Sequence, residues 1–76
     1  METVYINTEY IKLDQLLKFT QIAEDGADAK FIIKQGIIFM GENVILERGK
    51  KIYPGDIITI RTEDEEIDIQ VLKEWL

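Results

Sequence analysis

The chain contains 76 residues, 46% of them hydrophobic, and carries a net charge of −6 at pH 7 from 9 cationic and 15 acidic side chains. This length predicts one domain with a modest core, and the hydrophobic content argues against disorder. The absence of cysteine excludes disulfides, thiolate metal sites and thiol catalysis. The acidic balance argues against a general nucleic-acid binder. With no secretory signal or membrane span visible, we expect a cytoplasmic protein without membrane contact.

The N-terminal part of the chain predicts one strand followed by one helix. Residues 2–7 alternate, with Val4 and Ile6 on one face, which is the period of a strand. From Lys12 to Phe19 the leucines recur at helical spacing, and Asp14 lies in the first turn, where the helix dipole favours an acid. Residues 20–26 then connect to the next element.

A second short helix is predicted from Ala27 to Gln35. One apolar stripe is formed by Ala29, Ile32 and Ile33, and Gly36 supplies the left-handed residue that commonly ends a helix. Lys30 and Lys34 are four residues apart, so they share one face of this helix, away from the apolar stripe.

The second half of the chain predicts short strands joined by turns. We expect these strands at residues 37–40, 44–46, 57–61 and 67–71. Residues 41–43 are a turn signal, and Pro54 and Gly55 occupy the positions that suit a type II turn. Trp75 is predicted to cover one end of the core. The fold class is therefore α+β, with two short helices packed beside a small, mostly antiparallel sheet.

Side chains suited to catalysis are scarce in this sequence. The chain contains no His, Cys or Ser, so the usual nucleophiles and neutral-pH bases are missing. The acidic run Glu63–Glu66 is typical of a solvated turn, and it lacks the ligand spacing of an EF-hand. We predict that the protein is not an enzyme and that it binds no metal or cofactor.

The cationic side chains in the middle of the chain form two groups. Lys30 and Lys34 share a helix face, and Arg48 and Lys50–Lys51 follow the predicted hairpin. If the hairpin folds back beside the helix, both groups line one groove that suits a phosphate backbone. The alternative is that these side chains are solvated and paired with nearby acids. Tyr53, beside the basic corner formed by residues 48–51, is predicted to cover the core, and stacking on a base is the alternative.

Several motifs resemble the S4 RNA-binding domain. The segments that carry the resemblance are Lys12–Leu17, Ala29–Gly36, Phe39–Gly41 and Lys51–Ile58. The Thr8–Ile11 start, the Arg-Gly-Lys-Lys corner and the Tyr-Pro-Gly-Asp turn are similar to the stand-alone, YaaA-type S4-like proteins of Gram-positive bacteria, which are linked to ribosomes and large-subunit maturation. Met40 stands where the family usually has Asn, a residue tolerant of positive φ, and Glu47 replaces the first Arg of the corner.

The resemblance implies a fold, a function and a set of site residues. The fold is S4-like (alpha-L) over residues 1–76, with the S4 core at about 10–60 and an acidic strand extension at 61–76. The implied partner is structured RNA, ribosomal RNA in particular, or a ribosomal particle, and the implied role is ribosome association or large-subunit maturation. We expect the protein to be a monomer. The RNA-facing positions carried over are Lys12, Lys30, Lys34, Arg48, Lys50 and Lys51.

The charge distribution along the chain leaves a second function open. Residues 59–76 carry six acids and only two cations. The alternative is therefore a protein-interaction module that uses these acidic strands against a basic partner.

Overall fold

The computed structural model describes residues 1–74. Trp75, predicted to cover one end of the core, lies outside the described residues. The elements in chain order are β1 (Glu2–Ile6), β2 (Ile11–Lys12), α1 (Leu13–Phe19), α2 (Gly26–Lys34), β3 (Ile38–Met40), β4 (Asn43–Val44), β5 (Lys51–Ile52), β6 (Ile57–Arg61) and β7 (Glu66–Lys73).

The main sheet has five strands in the order β1-β7-β6-β3-β4. The pairs β7–β6, β6–β3 and β3–β4 are antiparallel, whereas β1 pairs with β7 in parallel, with Val4 beside Val71. The predicted α+β class with a mostly antiparallel sheet is confirmed. The first strand, β1, forms one edge of the sheet. The last described strand, β7, lies inside the sheet between β1 and β6.

Both helices bury the apolar stripe that the sequence predicted. α1 packs its leucines into the core, and α2 packs Ala29 and Ile33 beside them. The N-cap of α2 is Asp25, whose Oδ1 accepts a hydrogen bond from the Asp28 N–H at 2.8 Å, and Gly36 follows the helix with φ +72°. The helix boundaries agree with the prediction to within one residue at each end.

The β3–β4 hairpin turns through two residues, Gly41 and Glu42. Positive φ is adopted at Gly41, at 63°, which suits the type II′ hairpin turn with glycine at its first central position. Met40 lies in β3 as a regular strand residue, opposite Asn43. Loss of the family's usual Asn at position 40 therefore costs this turn nothing, because glycine carries the left-handed conformation.

The Pro54–Gly55 turn has the conformation that the sequence predicted. The Asp56 N–H donates to the Tyr53 carbonyl at 2.9 Å, and Gly55 has φ +98°, as position i+2 of a type II turn requires. Just before it, β5 pairs with β2 in a separate two-stranded sheet, with Ile11 opposite Ile52. No sequence pattern predicts this small sheet, because two-residue strands are too short to show a period.

The space between the helices and the sheet is filled by apolar side chains. No polar or charged residue among residues 1–74 is buried. None of the helices in this part of the chain is long and apolar enough to span a membrane.

Candidate nucleic-acid interface

α2 presents its lysines on an exposed face that adjoins its buried face. Lys30 and Lys34 are exposed, whereas Ala29 and Ile33 lie in the core. Side chains four residues apart on a helix lie about 5–6 Å from each other at Cβ. Two ammonium groups are therefore carried side by side on one rigid element.

The segment that follows β4 packs beside this face of α2. Together they line a cleft of about 310 Å³, formed by Lys30, Ile33, Lys34, Leu46, Glu47, Arg48 and Gly49. Three cations and one acid share this cleft, so it is locally positive although the chain as a whole is acidic. We call it the basic cleft.

Arg48 is held in the basic cleft by an ion pair with α1, and it lies near the start of α2. Its Nε lies 3.3 Å from the Asp14 Oδ2, and its Nη2 lies close enough to Gly26 that a Cβ added there would be 3.4 Å away. The Asp14 side chain is only 15% exposed, while that of Arg48 is 50% exposed. One side of the guanidinium is therefore anchored, and the other remains open to solvent.

The backbone of the basic corner caps α1. The Leu13 N–H donates to the Lys50 carbonyl at 2.9 Å, and the Asp14 N–H donates to the Arg48 carbonyl at 3.0 Å. Lys12, the N-cap residue, makes no side-chain cap, so these carbonyls satisfy N–H groups that a helix start leaves unpaired. The backbone of the corner is thereby fixed to α1.

The other three predicted site residues lie outside the basic cleft. Lys50 lines a separate cleft, near the β3–β4 hairpin and Asp56. Lys12 and Lys51 lie directly opposite each other in the small β2–β5 sheet. The structure thus brings Lys30, Lys34 and Arg48 together, and it places Lys12 with Lys51 as a second pair of cations.

Two tyrosines accompany this second pair of cations. The Lys51 Nζ lies 4.9 Å from the centre of the Tyr10 ring, and the Tyr10 and Tyr53 rings are 5.7 Å apart with a tilt of 49°. Tyr53 is 42% exposed rather than buried as a cover of the core. Sequence reasoning missed Tyr10, since nothing in a linear pattern indicates that residues 10 and 53 meet across two short strands.

The lysines of these groups have no acidic partner within 4.0 Å in the described part of the chain. Two ion pairs occur there, Arg48–Asp14 and Arg61–Glu66. The alternative raised by the sequence, that the lysines pair with nearby acids, is therefore not observed in residues 1–74. Exposed ammonium groups without a protein partner are available to an external anion.

The acidic run forms a closed and exposed turn between β6 and β7. The Thr62 N–H donates to the Glu65 carbonyl at 2.9 Å, and Arg61 Nε donates to Glu66 Oε1 at 2.8 Å. Within residues 1–74, no three acidic side chains come together in a way that could hold a metal ion.

Two comparisons with known proteins agree with each other. The sequence model of a family described as S4 domain matches residues 4–70. The chain is also 32% identical, over 57 residues, to the probable ribosome maturation protein RlbA of Bacillus subtilis (strain 168). That match covers 75% of this chain and 80% of the Bacillus protein.

Proposed function

The chain belongs to the S4 domain family, and on that premise we propose that it is a small, non-enzymatic RNA-binding protein that acts in ribosome maturation. Its ligand is structured RNA, ribosomal RNA in particular. The observation that carries the proposal is the basic cleft, in which Lys30, Lys34 and Arg48 lie together on a frame held by both helices. The similarity to a probable ribosome maturation protein supports the cellular role.

The basic cleft suits contacts to phosphates rather than to base edges. α2 has nine residues, and the deep, narrow major groove of A-form RNA does not admit side chains that could read bases there. Cations at fixed separations instead recognise the path of the phosphate backbone, and each phosphate contact releases condensed counterions. Binding is therefore governed by RNA shape and falls steeply with salt.

Arg48 and the two lysines have different tasks in this proposal. The planar guanidinium of arginine grips a phosphate through two parallel hydrogen bonds, whereas a lysine acts as a point charge. Asp14 holds one side of Arg48, which lowers the cost of ordering the guanidinium on binding. Lys30 and Lys34 then supply the long-range attraction that Glu47 partly offsets.

The domain organisation, oligomeric state and location of the protein are part of the same proposal. We propose one S4-like domain over residues 1–76 that works as a cytoplasmic monomer, with Lys12, Lys50 and Lys51 as additional RNA contacts. Lys12 and Lys51 are joined to the basic cleft through the corner that caps α1.

A charge reversal at Lys34, with Lys18 as its control, tests the proposal. Both lysines are exposed and lie in the last turn of their helix, so Lys34→Glu and Lys18→Glu change the net charge and the helix-dipole interaction equally. We expect Lys34→Glu to abolish co-sedimentation with ribosomal particles and binding to ribosomal RNA fragments, while Lys18→Glu retains both. Equal behaviour of the two variants would exclude the basic cleft as the binding site.

A protein-interaction module remains the second candidate, because the four acids of the turn Glu63–Glu66 are all exposed. A pull-down after nuclease treatment separates the two functions. Recovery of a basic protein that depends on these acids, together with no RNA binding, would favour the second candidate.

A further inference from the structure

The aromatic cluster, which we define as Tyr10, Lys51 and Tyr53 with Lys12 beside them, has the features of a nucleotide site. Strand alternation sends Ile52 into the core and turns its neighbours Lys51 and Tyr53 outward. Tyr10 packs against Tyr53 with ring centres 5.7 Å apart. An aromatic side chain is therefore presented to solvent on the same side as a cation, although the core does not require it there.

The backbone of Tyr53 is tightly fixed. Its N–H donates to the Asp56 Oδ2 at 2.8 Å, and its carbonyl accepts from the Asp56 N–H at 2.9 Å. Pro54 follows directly and restricts the turn further. A residue whose backbone is fixed before binding loses little backbone entropy when a ligand stacks on its side chain.

The two cations of the cluster face each other across the small sheet. Lys12 and Lys51 are direct partners in the β2–β5 pair, and like charges placed directly opposite destabilise a strand pair. Tyr10 partly compensates Lys51, whose ammonium lies over its ring. An anion bound between the two ammonium groups would remove the remaining repulsion.

We propose that an unpaired nucleotide of the bound RNA stacks on the exposed ring of Tyr53, with its phosphate held by Lys12 and Lys51. This inference rests on the proposed function and narrows its ligand class to duplex RNA that carries a bulged or single-stranded nucleotide. Duplex phosphates occupy the basic cleft, and the chain leads from Arg48 in that cleft to Lys51 within three residues. Aromatic stacking on splayed-out bases is a common way for proteins to recognise RNA beyond its duplex shape.

Two hairpin RNAs of identical stem sequence test the proposal, one fully paired and one with a single bulged nucleotide. The wild-type protein is expected to bind the bulged hairpin more tightly. Tyr53→Leu is expected to lower the affinity for the bulged hairpin by about tenfold and to leave the affinity for the paired hairpin unchanged. Tyr53→Phe keeps an aromatic ring and is expected to retain the preference.

Tyr5→Leu serves as the matched control, because Tyr5 is an exposed tyrosine on β1 with the same change of side chain. A 2-aminopurine base at the bulge gives a direct reading of stacking, since its fluorescence falls when it stacks. We expect quenching with the wild type, Tyr53→Phe and Tyr5→Leu, and none with Tyr53→Leu.

Three results would overturn the inference. They are equal binding of both hairpins by the wild type, an equal loss for both hairpins in Tyr53→Leu, and quenching that persists in Tyr53→Leu. If the paired hairpin binds in a way that depends on Lys34 while the bulge adds nothing, the stacking site fails and the proposed function stands. Absence of binding to both hairpins overturns the proposed function as well.

Discussion

Neutralising the two lysines of α2 should reduce the salt dependence of RNA binding by a defined amount. In duplex and single-stranded nucleic acids, each phosphate contact contributes about 0.7–0.9 to the slope of log K against log salt. Lys30→Gln plus Lys34→Gln removes two cations from the basic cleft and leaves Arg48 with its Asp14 partner. The slope should therefore fall by about 1.4–1.8, and each single variant should account for half of that change.

The corresponding change in affinity is large enough to measure directly. Between about 50 mM and about 200 mM salt, a slope difference of this size means that the wild type loses about tenfold more affinity than the double variant. Only the difference between the proteins is predicted, because Lys12, Lys50 and Lys51 contribute to the total slope of both. Fluorescence anisotropy of a labelled ribosomal RNA hairpin, titrated at four salt concentrations, gives the two slopes.

Lys18→Gln is the control for this experiment, since Lys18 is an exposed lysine on α1 that lies outside the basic cleft. Its slope should equal that of the wild type. An equal fall of the slope in Lys18→Gln and Lys34→Gln would show that overall charge, and not the basic cleft, governs binding. An unchanged slope in the double variant would show that these lysines do not contact phosphates.

Three predictions concern stability and are measured by urea denaturation. Gly36→Ala should lower the free energy of unfolding by about 1–2 kcal/mol, because position 36 has φ +72°. Gly49→Ala is the control and should lower it far less, because a Cβ at position 49 meets open space and φ there is not positive. Asp25→Ala should lower the free energy of unfolding by about 0.5–2 kcal/mol, because it removes the N-cap of α2. A change near zero would refute the capping role of Asp25. Arg48→Ala should lower the free energy of unfolding by about 1 kcal/mol, because it leaves Asp14, whose side chain is 15% exposed, without its partner. Lys34→Ala should leave the free energy of unfolding unchanged. Equal losses in the two variants would refute the anchoring of Arg48 by Asp14.

The helices and most strands were predictable because their patterns are local. The leucines of α1 and the alternation of β1 and β7 reflect a buried face directly, and Gly36 and Gly55 mark the places where the chain needs positive φ. The N-cap at Asp25 could also have been predicted from the sequence. Asp25 and Asp28 have the three-residue spacing of a capping box, and Asp28 Oδ2 accepts the Glu24 N–H at 3.0 Å.

Strand partners could not be read from the same patterns. Alternation shows which face of a strand is buried, but it does not show which strand lies beside it. The parallel pairing of β1 with β7 joins the two ends of the described chain, and it follows from the packing of the whole sheet. The same limit applies to β2 and β5, which are recognised only by their hydrogen bonds to each other.

The candidate site was predictable in its residue types and only partly in its arrangement. The spacing of Lys30 and Lys34 fixes their common face, but the meeting of α2 with Arg48 depends on the path of the chain after β4. The sequence grouped Lys50 with these cations, whereas its side chain lines another cleft, because neighbouring residues in an irregular corner point in different directions. Asp14 was interpreted only through the helix dipole, since its contact with Arg48 spans 34 residues of sequence.

An NMR titration of isotope-labelled protein with a ribosomal RNA hairpin shows, residue by residue, whether RNA binds at the basic cleft. We expect amide shifts concentrated at residues 10–12, 30–36 and 46–53, which contain the basic cleft and the aromatic cluster, with little change in the acidic turn at 62–66. Shifts centred on residues 62–66, with the lysines of α2 unaffected, would contradict it.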